Sequence, residues 1–504
     1  MRKQIIIGAA VAAVALSSAC TKEFLTVEHN SAVPLEEYFT TEPHLQEALI
    51  AAYDPLEWFD WTDQYAPLNI MSDIMADQIW VGGSDKTDNA FWHLMMNYEA
   101  IPTNCLGSII SDCYSGVKRC NDVMTYIEWT KDLDAEVSKS VEAQARVLRA
   151  FYYNILWKFW GNIPYYETNL TGDFTGPQFQ AAEVYSKFIE DLEGAIALGA
   201  LPMKREGNEI GRVSLAMAYM LYTEAVLYQN DESRFPQALD YMKEIISSNK
   251  YDLLPNYGDI FKETGEWGAE SIFEIDYKAV GGQRYWSWVR GAGGTILPRL
   301  ISPNNWTGDT EYDGGWGFAP VRKETYDMYD AADARRAATC WDAAHTGTGT
   351  YNPRYQDTGL FLEKYAAKKA NGDADGDADL RFNNNLRIYR YSECLLNAAE
   401  LVVRGAGTGD AAGWLNKVHG RSLGGATVTL SLDNIKEERR LEFVGEGKRY
   451  WDLVRWGDAA TVLKPDTYGY RTNTWSESKK YLPFPQGLID STQGKTYVLV
   501  QNNY

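Results

Sequence analysis

Glu437-Glu438-Arg439-Arg440-Leu441-Glu442-Phe443-Val444-Gly445-Glu446-Gly447-Lys448-Arg449-Tyr450-Trp451-Asp452-Leu453-Val454-Arg455-Trp456-Gly457 is the stretch from which the rest of the chain can be read. Its first part continues a helix expected over 432–444. Glu438 and Glu442 fall one turn apart on a single face of that helix. Such a pair could be a glycosidase acid and base, but those are defined by a spatial separation. With 69 acidic side chains in the chain, sequence singles out none of them. Bonding to Arg439 or Arg440 and support of the packing is the simpler reading. Trp451 and Trp456 are then expected in the core of a scaffold rather than on a binding surface.

Outward from this stretch, helical spacing dominates both ends of the chain. Thr41 can cap a helix in which Leu45, Ala48, Leu49, Ala52, Tyr53 and Leu56 share one face. Val141, Ala145, Leu148, Tyr152, Ile155 and Phe159 step by four and three through 136–160, and Gly161 ends the run. Further helices are expected at 181–198, 213–229, 234–248 and 387–404. Small Ala positions beside large aromatics suit stacked antiparallel helix pairs, although no clean 34-residue repeat is visible. The expected class is mainly α, with a helical scaffold over roughly 35–250 and 385–460.

The middle, roughly 250–385, reads differently. Gly, Pro, Asn and Asp cluster there around six tryptophans, Trp267, Trp286, Trp288, Trp306, Trp316 and Trp341. Short strand-like pieces such as 271–277 sit between long connections. Loops of that length are functional or disordered, and disordered segments are poor in aromatics, so a functional, loop-rich part is expected.

The chain begins with Arg2 and Lys3, an apolar stretch from Ile5 to Leu16, then Ser17, Ser18, Ala19 and Cys20. Twelve apolar residues are too few to span a bilayer, so 1–19 read as a signal peptide. A cysteine directly after the small residues is the acylation point of a bacterial lipoprotein, with ordinary secretion as the alternative. No later stretch has eighteen uninterrupted apolar residues, which leaves lipid on Cys20 as the expected anchor. The 504 residues carry a formal net charge of −21, which argues against nucleic acid as a partner. The five remaining cysteines are no disulfide framework; one bridge among Cys105, Cys113 and Cys120 stays open, and their spacing does not suit zinc.

A search for catalytic signatures returns nothing: five histidines without HExxH, no GxSxG and no P-loop. In Asn371-Gly-Asp373-Ala-Asp375-Gly-Asp377 the alternate oxygens imitate the first half of a calcium loop. Phe382 stands where an EF-hand requires glutamate, so a solvated acidic loop is preferred over a Ca2+ site at Asp373, Asp375 and Asp377. No other cofactor is implied.

Read together with Arg387-Ile-Tyr-Arg-Tyr391-Ser-Glu393-Cys-Leu-Leu-Asn-Ala-Ala-Glu400 and Tyr481-Leu-Pro483-Phe-Pro485, the opening stretch resembles the SusD/RagB family of outer-membrane glycan-binding lipoproteins. Arg149-Ala-Phe-Tyr-Tyr, Trp160-Gly161-Asn-Ile-Pro164 and the segment after Cys20 extend the resemblance over nearly the whole chain, 20–504, as one domain. It implies a scaffold of four tetratricopeptide-like helix pairs and an irregular part carrying the ligand site. It implies a non-catalytic lipoprotein at the cell surface that passes oligosaccharide to a TonB-dependent transporter of the SusC type. A surface glycoside hydrolase and a scaffold or peptide-binding lipoprotein of the same uptake complex are the alternatives.

Sugar rings present apolar C–H faces rimmed by hydroxyls, so a flat indole with polar neighbours suits them. Tryptophans in expected loops are therefore the candidates: Trp80, Trp92, Trp286, Trp288, Trp306 and Trp316. Asp77, Asn89, Arg284, Asn304, Asn305 and Asp309 are the expected polar company.

Overall fold

The computed structural model describes residues 33–172, 175–280, 284–288, 290–345, 348–372 and 377–504. The signal peptide, Cys20, Asp373 and Asp375 lie outside the described residues.

Among the described residues ten principal helices make the scaffold: α1 (Glu42–Tyr53), α2 (Ser108–Trp129), α3 (Ala135–Trp160), α4 (Ala181–Ala197), α5 (Leu215–Gln229), α6 (Phe235–Ser247), α7 (Tyr391–Val403), α8 (Ala411–Ser422), α9 (Leu432–Glu442) and α10 (Arg449–Arg455). Contacts run from each to the next, α1 on α2, α2 on α3, and so through α8. Eight helices thus form four successive pairs, the arrangement that the family resemblance implies. The spacing along α3 is borne out, since Val141, Ala145, Leu148, Tyr152, Ile155 and Phe159 are all buried. From Val147 onward α3 is buried on every side, as befits a central helix. Asp134 caps it, accepting N–H bonds from Glu136 and Val137 at 2.9 and 3.2 Å. Its approach to α2 depends on Gly116, where a Cβ would lie 2.3 Å from the Tyr152 ring.

The expected helix over 387–404 starts late. Leu386–Arg390 is instead a strand, antiparallel to Ser271–Ile275. Arg387 and Arg390 both turn inward there and bind acceptors on other segments. A second pair, Cys340–Asp342 with Leu360–Leu362, carries Trp341 and Phe361 into a small satellite core with Trp306.

The opening sequence stretch is the scaffold's ionic lock. Glu442 does not pair locally with Arg439 or Arg440. It accepts from Arg390 at 3.0 Å, Arg421 at 2.5 Å and Arg335 at 3.3 Å. Glu438 likewise turns to Arg335 at 2.5 Å and His419 at 2.7 Å. Burial by itself would raise the Glu442 carboxyl; Arg421, Arg390 and Arg335 together hold it well below the usual range. Arg390 also binds Glu446, whose other partner is Lys364 at 2.6 Å. Strand, helix and loop segments far apart in sequence are joined through this one group of charges. Gly447 follows it with φ +74°, and a Cβ there would stand 2.7 Å from the Asn69 Cα. Trp451 is buried against Phe159 and Tyr228. Trp456 is only half-buried, bonding its indole N–H to Glu400 at 3.1 Å, so it is less of a core residue than expected.

Candidate glycan-binding platform

Four aromatic rings close a circuit on the surface. Trp61 and Tyr65 lie 5.5 Å apart at 28°, and Trp286 and Trp316 lie 6.3 Å apart at 24°. Steep contacts join the two pairs, Trp61 to Trp286 at 4.0 Å and Tyr65 to Trp316 at 5.4 Å. Trp286 is the most open of the four at 43% exposure; the others are half-buried.

Local sequence explains each placement. Trp61-Thr62 and Gln64-Tyr65 form a minimal hairpin about Asp63, which takes φ 58°. Trp61 and Tyr65 are directly opposite in it, so their side chains share one face. Gln64 points the other way and fastens the hairpin to α2. Its Oε1 accepts from Gly107 and Ser108 N–H at 2.9 and 3.1 Å, and its amide donates to the Cys105 carbonyl at 3.0 Å. Trp92 supports the second strand from beneath, donating its indole N–H to the Tyr65 carbonyl at 2.9 Å.

The segment that carries Trp286 is fixed at its base by a buried ion pair between Arg284 and Asp60. Asp60 also accepts from the Thr295 hydroxyl at 2.8 Å and the Ile296 N–H at 2.9 Å. Asp60 immediately precedes Trp61, so both halves of the platform hang on one carboxylate. The Trp286 N–H donates to Asp377 Oδ2 at 2.6 Å. Trp316 is held by its backbone, accepting from Arg354 at 2.7 Å and donating to the Arg299 carbonyl at 2.8 Å.

Charged groups border the rings. Arg354 reaches Asp88 at 3.5 Å, and Asp379 pairs with Arg299 at 2.9 Å. Burial raises the Tyr65 hydroxyl above its ordinary pKa, and the charges of Asp379 and Asp88 add to that. The hydroxyl therefore stays protonated at physiological pH and remains a hydrogen-bond donor. Aromatic faces edged by carboxylates and guanidinium groups can hold a sugar ring by its C–H face and its hydroxyls together.

Of the tryptophans expected to face a ligand, Trp286 and Trp316 are brought together here. Trp288 lies two residues farther on, 59% exposed and outside the circuit. The expectation of exposure is corrected for three others. Trp80 is 1% exposed, closed in by Arg322 at 3.6 Å and by Tyr468 and Tyr470. Trp92 is fully buried on the short helix Ala90–Met96 rather than in a loop, and Trp306 packs on Trp341 in the satellite core. Lying in a loop does not make a side chain exposed when the loop itself is packed.

The polar candidates also have structural employment. Asp77 is bound by Arg449 at 2.9 and 3.1 Å, and Arg284 is the clamp partner of Asp60. Asp309 closes a turn by accepting from the Glu311 N–H at 2.6 Å and the Tyr312 N–H at 3.2 Å. Asn304 accepts through its carbonyl from Asn352 at 2.9 Å, and Asn305 takes φ 54°. Asn89 sits at φ 50° at the start of a short helix. Asp377, one of the three calcium candidates, is engaged by the Trp286 backbone. Among the described residues no three metal-ligating side chains converge. Trp61 and Tyr65 are not among the residues that the sequence reading singles out. The signal was the alternation Trp-Thr-Asp-Gln-Tyr about a turn-forming aspartate, too short to register as a hairpin.

Residues 341–504 match the SusD family, and residues 23–220 match the family described as "Starch-binding associating with outer membrane". The chain is similar to surface glycan-binding protein A of Bacteroides thetaiotaomicron, solved in complex with laminarihexaose. That match has 57% identity and a TM-score of 0.88 over 92% of this chain and 100% of that one. The corresponding protein of Bacteroides uniformis matches at 48% identity and a TM-score of 0.84, over 92% of this chain and 100% of that one. The SusD-like protein P25 of Formosa agariphila is 24% identical over 92% of this chain and 91% of its own.

Proposed function

The chain belongs to the SusD family, and from that premise we propose that it captures laminarin-type oligosaccharides at the cell surface and binds them without cleaving them. The observation that carries this reading is the closed circuit of Trp61, Tyr65, Trp286 and Trp316. Four rings fixed by backbone bonds and a buried ion pair are an unusual expense of aromatic surface unless a ring-shaped ligand covers them. The 57% identity to a glycan-binding protein solved with laminarihexaose supports the choice of sugar.

Delivery follows from the family. The captured chain passes to a TonB-dependent transporter of the SusC type, with the protein held at the outer membrane through diacylated Cys20. The signal-peptide pattern before Cys20 supports that anchor, as does the outer-membrane association of the matched family. Among the described residues no helix is long and apolar enough to cross a membrane. No cofactor enters this activity.

Calorimetric titration of the mature protein with laminarihexaose, alongside a glycan and peptide panel, tests the reading. Binding of laminarin oligosaccharides with the sugar recovered intact is the expected result. Release of shorter sugars would make the protein a hydrolase, and a folded protein silent to every glycan would make it a scaffold.

A further inference from the structure

Beside the platform, on the scaffold side of Trp288, lies a groove of about 520 Å³. Its floor is Trp58, with the Arg119 guanidinium 4.8 Å and the Arg290 guanidinium 5.6 Å from the indole centre. Arg119 is held in place by Asp54 and the Ala51 carbonyl, both at 2.7 Å. α2, which carries Arg119, also offers Ser115 and the Lys118–Asp122 pair, bonded at 2.7 Å. Phe39 and Tyr126, stacked at 3.8 Å, complete the aromatic lining.

Two stretches of chain connect this groove to the platform. Trp58 and Trp61 stand three residues apart, one on the groove floor and the other in the ring circuit. Trp286 and Trp288 share a tight turn in which Tyr285 and Trp288 exchange N–H···O bonds of 2.9 and 2.8 Å. Their Cα atoms can be no more than about 8 Å apart, two peptide steps. A ligand lying on Trp286 is therefore within reach of Trp288, which lines the groove.

The lining decides what would enter. Its cations are matched by anions: Arg119 by Asp54, Lys118 by Asp122 and Arg290 by Asp63 at 3.5 Å. An anionic ligand would find each of these cations already paired. A neutral polyol finds donors, acceptors and aromatic faces at once. We propose that the groove is a second subsite, taking the continuation of a neutral glycan chain that leaves the platform past Trp288. The proposal rests on the glycan-binding reading above and adds to it the residues that read chain length.

The test compares laminaritriose with laminarihexaose by calorimetric titration of the mature protein and of two variants, Ser115→Trp and Trp288→Ala. Ser115 is a half-buried residue of α2 whose enlargement fills the groove without touching the platform rings. Wild-type protein is expected to bind the hexaose about tenfold more tightly than the triose, about 1.4 kcal/mol of extra contact. Both variants, with melting temperatures confirming an intact fold, should remove that advantage and leave triose affinity unchanged. Retention of the hexaose advantage in Ser115→Trp overturns the second subsite. Equal loss of both sugars in Trp288→Ala overturns it too, assigning Trp288 to the platform. A wild-type protein that binds neither sugar overturns the glycan reading itself, a different outcome from either.

Discussion

Removing the Trp286 indole should weaken glycan binding while sparing the fold. The side chain is 43% exposed in the free protein. An indole presents roughly 200 Å², so about 90 Å² is free for a sugar to cover. At about 25 cal/mol per Å² that contact contributes about 2 kcal/mol, or close to 30-fold in affinity. The ring also touches Trp61 and Trp316, and losing those contacts should cost about 1 kcal/mol of stability. Trp286→Ala is therefore expected to bind laminarihexaose ten- to thirty-fold more weakly by calorimetry, about 1.4–2 kcal/mol. Its melting temperature should fall by only a few degrees. An affinity within twofold of wild type, in a variant shown to be folded, would refute the reasoning. The open face of Trp286 would then not be where sugar rests.

Trp306→Ala should do the reverse, leaving binding intact and losing about 3–5 kcal/mol in urea denaturation, because the ring fills the satellite core. Glu442→Ala leaves Arg335, Arg390 and Arg421 without their shared acceptor and should cost about 3–5 kcal/mol; a loss below 1 kcal/mol would mean that the arginines find other partners. Asp112 is raised to about 8, chiefly by burial, so its folded form keeps a proton that the unfolded chain gives up near pH 4. Its contribution to stability is thus full below pH 4 and is lost as pH rises toward 8. Asp112→Asn should accordingly stabilise the protein by about 1 kcal/mol or more at pH 8 and by nothing at pH 4, read from paired thermal melts.

The scaffold was legible where apolar spacing ran long. The helix containing Val141 to Phe159 could be placed within a residue of its observed ends. α2 is not legible, because Ser108–Trp129 scatters Ser, Gly, Asn and Asp through its interior, residues that favour turns when judged alone. Packing against α1 and α3 overrides that preference. The start of α7 is not legible because Leu386–Arg390 runs straight into the helix with no Gly or Pro between them, and only its partner strand, more than a hundred residues earlier, distinguishes the two. At the candidate platform, composition points to loop tryptophans, two of which, Trp286 and Trp316, share the ring circuit. It does not separate them from Trp80 and Trp306, since burial of a loop depends on what covers it, nor from Trp92, which lies on a short buried helix. Trp61 and Tyr65 come together with Trp286 through the Arg284–Asp60 clamp, a contact spanning 224 residues that no local pattern announces.

The five cysteines of the described chain are all free and all buried. Burial pushes Cys105 and Cys340 up to about 12 and raises Cys113, Cys120 and Cys394 further. They are spread over α2, α7, the strand of the satellite core and the turn before α2. None offers a thiolate to a reagent while the fold is closed, since the thiolate is the reactive form. The molecule therefore carries its own unfolding clock. Labelling at each sulfur counts only those moments when its own region opens, and mass spectrometry of the tagged peptides would rank the opening of the helix pairs against that of the loop-rich part.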